Sequence, residues 1–336
     1  SVDVYKRQGI YTNPFGPLIT GAGKLGDVAD FSFFEVPEAP GTRFEVFPGS
    51  PAVTDAGIIV FKGNYLSPDP EVGKTGVYYR QVSAGEAGGN GPIQLVANSD
   101  TMVPNPGKCA PGTPFGSTAP PSAAWNHMVF VGFDDEEDPD CGGIYRASLT
   151  GKLKLTTLVG LETEVPGQGG ATFTRIGEGL SYDGRFVAFW GAWGQETRTV
   201  RLYCREEGNK IRKDFCNNAG DFAPDLGDEN SICEEGPPCY QEKEVPVNQG
   251  IFVYDTVGKG KLWMVARAGS DGDFDDFVYW NYSGAPPGAG EDDGEPPRWR
   301  SSSFVAVSQR AGPTFRAAFL AKHGDIDLSL IHISEP

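Results

Sequence analysis

The chain has little of what most catalytic sites are made from. Its 336 residues include three histidines and three methionines, and one histidine, His332, falls in an end segment set aside below. No G-x-S-x-G, H-E-x-x-H, P-loop or G-x-G-x-x-G in strand–helix context is present, which removes common signatures of serine hydrolases, zinc peptidases and nucleotide enzymes. The six cysteines, at 109, 141, 204, 216, 233 and 239, contain no C-x₂₋₄-C pair, so a zinc site is not expected. No apolar run approaches the roughly 18 residues of a membrane-crossing helix, so membrane insertion is not expected either. Positive charge is scarce: 28 Lys and Arg face 45 Asp and Glu, for a formal charge of −17. Such a chain is repelled by nucleic acid and by anionic membranes, and it attracts cations, Ca²⁺ among them.

Glycine and proline are plentiful instead, 46 and 27 residues, close to twice ordinary usage. That balance favours many short elements joined by turns and argues against long helices. The cysteine count is even and four of the six share one polar stretch, which points to disulfides and an oxidising compartment. The pairing expected is Cys109–Cys141, Cys204–Cys216 and Cys233–Cys239. A glycosylation sequon, Asn281-Tyr282-Ser283, fits the same extracellular or cell-surface setting.

Both ends look foreign. Residues 1–8 and 329–336 resemble translated sequencing-adapter read-through, so they are expected to be non-native and are left out of fold reasoning. What is left, 9–328, reads as a single repeat-built domain.

The repeat shows in the tripeptide Gly-Ile/Val-Tyr/Phe, at Gly9-Ile10-Tyr11, Gly76-Val77-Tyr78, Gly143-Ile144-Tyr145 and Gly250-Ile251-Phe252. The first two intervals are 67 residues and the third is 107. The excess coincides with a Cys-rich acidic stretch, 204–247, whose removal as an insertion restores the period. Each unit carries β-rich runs, such as Ile58-Ile59-Val60-Phe61, Met128-Val129-Phe130 and Phe186-Val187-Ala188-Phe189, bounded by Gly, Pro and Asp. Turn residues Asp55-Ala56-Gly57, Asn126-His127 and Asp183-Gly184 separate the first two strands of each unit. Four strands per unit make an antiparallel meander, which must stack on its neighbours to bury both faces. The fold class expected is therefore all-β and β-propeller-like, with repeated four-stranded units of about 67 residues; a β-solenoid or open repeat array is the alternative.

The runs Gly57-Ile58-Ile59-Val60-Phe61 and Ser181-Tyr182-Asp183-Gly184-Arg185-Phe186-Val187-Ala188-Phe189 resemble the N-x-x-G-x-x-x-A-F tandem-repeat proteins. Units of that group also carry a Gly-Ile-Phe strand and a threonine–acid–Val-Pro-Gly loop, matched here by Thr163-Glu164-Val165-Pro166-Gly167 and more loosely by Thr101-Met102-Val103-Pro104. Ser181 stands where the pattern has Asn, and the first unit is one residue shorter. The resemblance implies a propeller-like repeat fold and no particular activity.

Candidate sites follow from chemistry alone. Asp271, Asp273, Asp275 and Asp276 place carboxylates at near-alternate positions around a turn, as a Ca²⁺ site would, although the EF-hand pattern fails at its sixth and twelfth positions. The run Asp134-Asp135-Glu136-Glu137-Asp138-Pro139-Asp140 reads as a solvated hairpin tip, and His127 as a turn residue. Trp190, Trp193, Tyr279, Trp280, Tyr282 and Trp299 cluster around glycine-rich turns. Their rings suit sugar stacking and suit equally the filling between packed sheets; Trp190, Trp193, Trp280, Tyr282 and Trp299 are the ligand-binding candidates. No catalytic residue is assigned. The function expected is a non-enzymatic extracellular binding or scaffold module for a glycan or protein, stabilised by Ca²⁺. Alternatives are a carbohydrate-active enzyme, as a propeller lyase or hydrolase, and a structural subunit of an extracellular assembly.

Overall fold

Runs such as Ile58–Phe61 and Phe186–Trp193 are apolar at both odd and even positions, so strands made from them need cover on both sides. The computed structural model describes residues 9–12, 19–23, 35–67, 72–82, 91–136, 138–203, 231–232, 240–268, 277–283, 298–301, 303–309, 312–323 and 326–327. Within them the chain is all-β, with several antiparallel sheets and none closed into a barrel.

Three sheets share one layout. In the first, a strand in two pieces, Phe44–Val46 and Ala52–Val53, pairs with Ile58–Leu66, followed by Gly73–Gln81 and Gln94–Asn98. In the second, Ser117–Thr118 and Ser122–Ala124 pair with His127–Phe133, followed by Gly142–Ser148 and Leu155–Gly160. The third runs Phe173–Tyr182, Phe186–Trp193, Gln249–Asp255 and Lys261–Ala268. Between its second and third strands an extra hairpin pairs Thr197–Tyr203 with Tyr240–Pro246, so the departure from the common layout begins before Cys204. All four Gly-Ile/Val-Tyr/Phe segments lie on strands, and each has its register shift at the same step, between the aliphatic and the aromatic residue.

Partial sheets flank these three. Gly9–Thr12 pairs with Ile19–Gly23 before them. After them, Val305–Gln309 pairs with Phe315–Phe319, and Phe277–Val278 with Lys322–His323. Ile326–Asp327 pairs in parallel with Leu202–Tyr203 of the extra hairpin. One turn differs from expectation: its two residues are Trp125 and Asn126, because Ala124 already pairs with His127, which opens the next strand.

Packing follows chain order. Ile58, Val60, Val77 and Val96 of the first sheet meet Met128, Phe130, Tyr145 and Ala147 of the second. The other side of the second sheet, Val129, Val131, Phe133 and Ile144, meets Phe173, Val187, Phe189 and Phe252 of the third. The third sheet turns Phe186, Ala188 and Val253 toward Val305, Val307, Phe315 and Ala317. Ile10 and Ala22 cover the first sheet on its remaining side.

On the side facing its predecessor, each of the three sheets holds the same aromatic triad. A ring on the first strand, or two residues ahead of it in the second sheet, stands edge-on to a third-strand ring in Phe44–Tyr78 (5.0 Å, 82°), Phe115–Tyr145 (5.1 Å, 79°) and Phe173–Phe252 (4.9 Å, 81°). Phe61, Phe130 and Phe189 of the second strands complete the triads. Two residues beyond each of these stands a glycine, and a Cβ there would come within 2.6 Å of Phe44 at Gly63, 2.8 Å of Phe115 at Gly132 and 2.6 Å of Phe173 at Gly191. The ring at the start of each sheet thus lies directly on backbone, which a side chain would prevent.

The links entering each first strand are alike too. The N–H groups of Val36, Val103 and Val165, all buried, donate to Thr42, Thr113 and Ala171 at 3.0, 2.9 and 2.8 Å. Pro follows each valine, and the next residue has positive φ: Glu38 at 66°, Asn105 at 54° and Gly167 at 74°. The hydroxyls of Thr101 and Thr163 accept from the N–H groups of Asn98 and Gly160 at 3.0 and 2.9 Å, closing the turn ahead of each Val-Pro.

Two outcomes are expected in urea denaturation. Gly132→Ala should lose about 1–3 kcal/mol by forcing the Phe115 ring off the strand. Glu38→Gly should gain about 1 kcal/mol by removing a side chain from a left-handed position.

Candidate ligand-binding surface

The expected ligand-binding aromatics divide into two groups. Trp190 is 1% exposed and donates its indole N–H to Gln249 Oε1 at 3.0 Å. Trp193 is 4% exposed, with the Arg267 guanidinium 5.7 Å from its ring centroid. Both rings are packed in the interior between sheets. Backbone pairing sets Trp280 opposite Ser301 and Tyr282 opposite Trp299, and the side chains of Trp280, Tyr282 and Trp299 lie outside the described residues. So do Asp271, Asp273, Asp275 and Asp276, and Cys204, Cys216, Cys233 and Cys239.

Of the expected disulfides, Cys109–Cys141 is formed. It ties the link before the second sheet's first strand to the hairpin between that sheet's second and third strands. The acidic run beside it serves as a hairpin tip: Asp134 Oδ1 accepts from the N–H groups of Asp140 and Cys141 at 3.1 and 3.0 Å, and Asp135 Oδ1 from that of Asp138 at 2.9 Å. Among the described residues, Cys109, Asp134 and Cys141 form the one group close enough to hold a metal. The disulfide leaves that group no thiolate.

The opposite end of the sheets holds a surface that the sequence reading passed over. Trp125 is 64% exposed and has φ of 57°. It is the first residue of a two-residue hairpin loop, where positive φ normally calls for glycine and where any other residue costs about 1–2 kcal/mol. Its indole rests on the neighbouring sheet's turn: a Cβ at Gly184 would lie 2.1 Å from Trp125 Nε1. Gly184 itself has φ of 103°.

That turn is fixed from three sides. Asp183 Oδ1 accepts from the N–H groups of Arg185 and Phe186 at 2.9 and 2.8 Å. The Tyr182 hydroxyl donates to the Gly184 carbonyl at 2.8 Å. Arg185 forks onto Asp255, Nε to Oδ1 at 2.9 Å and a terminal nitrogen to Oδ2 at 2.6 Å, and also reaches the Gly312 carbonyl at 3.2 Å. These bonds hold the Asp255 carboxyl below its ordinary range, against the opposing effect of burial. Burial raises the pKa of Tyr182, and the charge of Arg146 of the second sheet acts against that rise. Burial, and secondarily the charge of Arg146, lower the pKa of His127, which favours the neutral imidazole. Burial raises Tyr254, and Arg146 partly offsets it. The Trp125 ring, a neutral histidine, a guanidinium and tyrosine hydroxyls therefore meet along one seam between two sheets. A tryptophan inside a two-residue turn was the available signal; reading the turn as Asn126-His127 hid it.

No family model matches the chain, no curated protein matches it, and no solved structure matches it.

Two measurements test the supports of this end and of its opposite. Because the Asp255 pKa is depressed on folding, its contribution is full above about pH 4 and is lost as pH falls through its folded pKa. The wild-type melting temperature should accordingly fall more steeply in acid than that of Asp255→Asn. Replacing Cys109 and Cys141 together by serine should cost about 3–4 kcal/mol in denaturant titration, from the loop that the bond closes.

Proposed function

We propose that the protein is a non-enzymatic, extracellular binding module, built as a propeller-like array of tandem four-stranded units related to the N-x-x-G-x-x-x-A-F repeat proteins. One observation carries the binding reading: a tryptophan kept exposed at a positive-φ turn position that favours glycine, on a firmly held base. Backbone strain of this kind persists at functional positions more than elsewhere. The stacked sheets bury each other's faces, so strand ends and turns are the surface free to recognise a ligand.

The radial arrangement has its own support. The Ser122 hydroxyl accepts from the N–H of Tyr182 at 3.0 Å, and the Ser181 hydroxyl from that of Val307 at 3.2 Å. Both bonds join a first strand to the first strand of the following sheet. First strands drawn together are what blades set around an axis would give, which supports a propeller over a linear stack. The repeated Gly-Ile/Val-Tyr/Phe register shifts support a common unit. Calcium, held by Asp271, Asp273, Asp275 and Asp276, belongs to the same proposal.

The test is thermal denaturation against a panel of extracellular polysaccharides, with Ca²⁺ or with chelator, combined with a product assay. A ligand-dependent rise in melting temperature without release of reducing ends or unsaturated sugars is the expected result. Steady release of such products would make the chain an enzyme and overturn the reading. A melting temperature indifferent to Ca²⁺ would remove the metal.

A further inference from the structure

We infer that Trp125 is a stacking platform for a neutral saccharide, whose pyranose ring lies with its C–H face on the solvent side of the indole. This inference rests on the binding-module reading and names the ligand class and the residue.

The indole is not there for stability. It is mostly in solvent, and its backbone conformation would be relaxed by glycine, the residue this turn position favours. Its orientation is nevertheless set, because the Nε1–Cδ1 edge of the ring occupies the space that a side chain at Gly184 would fill. Gly184 is in turn fixed through Tyr182, Asp183 and the Arg185–Asp255 pair. A ring held in place before binding loses little entropy when a ligand arrives.

The chemistry beside the ring suits hydroxyl groups. The Arg146 guanidinium offers several donors, and neutral His127 offers one donor and one acceptor. An apolar protein contact would need further greasy cover around the tryptophan to exclude water, whereas the adjoining seam is made by the polar side chains of His127, Arg146 and Tyr182. Charge narrows the class further. The formal charge of −17 disfavours the approach of polyuronates and sulfated glycans, which leaves neutral chains.

The experiment is calorimetric and fluorescence titration of the whole chain with cello-, xylo-, laminari-, manno- and chitohexaose, with an acidic hexauronate for comparison. Wild type, Trp125→Gly and Trp125→Phe are compared, and thermal melts are recorded for each. At least one neutral hexasaccharide should bind wild type. Trp125→Gly should weaken that binding tenfold or more while melting no lower than wild type, and Trp125→Phe should fall between. Phe also serves as the test variant if the glycine variant does not fold. A saccharide bound equally by wild type and both variants removes this site and leaves the binding module standing. Binding of the hexauronate alone removes the neutral class. Failure of every saccharide to bind overturns the inference outright; the broader function then stands or falls on the thermal panel described above.

Discussion

The fold depends on a ring lying on bare backbone. Phe44, Phe115 and Phe173, each at the start of a sheet, rest where Gly63, Gly132 and Gly191 of the second strand offer no side chain. The ring then stands edge-on to Tyr78, Tyr145 or Phe252 with nearly constant geometry. Aromatic pairs of this kind add about 0.5–1.5 kcal/mol each beyond the area they bury. More important is what the contact fixes. It sets which face of each sheet looks backward along the chain, and so which residues are left to meet the sheet ahead. With both faces apolar, no sheet can stand alone, and the stacking order follows from that.

This arrangement also decides where recognition can occur. The two ends of the strands differ in character. At one end the Val-Pro links and the Cys109–Cys141 bond lock connections that already use their polar groups internally. At the other, short hairpins of neighbouring sheets touch, and side chains from one rest on the turn of the next. Trp125 over Gly184 is such a contact, and Arg185 reaching the Gly312 carbonyl is another. The seam offers rigidity without burial, a condition that a binding surface needs and a core does not supply.

Much of the architecture could be read from the residues. The glycine–aliphatic–aromatic tripeptide was legible because it recurs at a 67-residue interval, and runs such as Met128-Val129-Phe130 marked second strands because both faces are covered. The first strands of the first two sheets were harder: pieces such as Ala52–Val53, Ser117–Thr118 and Ser122–Ala124 are short and rich in Ala and Ser, with little apolar pattern of their own. The Phe-x-Gly step at Phe61, Phe130 and Phe189 was as regular as the tripeptide, but its meaning lies in a ring contributed from elsewhere in the chain. The candidate surface was least legible. Trp190 and Trp193 attracted attention by composition and are interior, whereas Trp125 stands alone in sequence and owes its exposure to a backbone angle that only coordinates reveal.

The serine bonds between first strands carry one last implication. Each of these bonds secures a sheet to the next one along the chain. Cohesion is then transmitted pairwise, as in a row of coupled magnets, and should be greatest where a sheet has a full neighbour on both sides. Amide protons of the second sheet, between two complete sheets, would exchange with solvent most slowly. Those of the strand pairs at Gly9–Gly23 and Val305–Phe319 would exchange first, so the molecule loosens inward from its flanks.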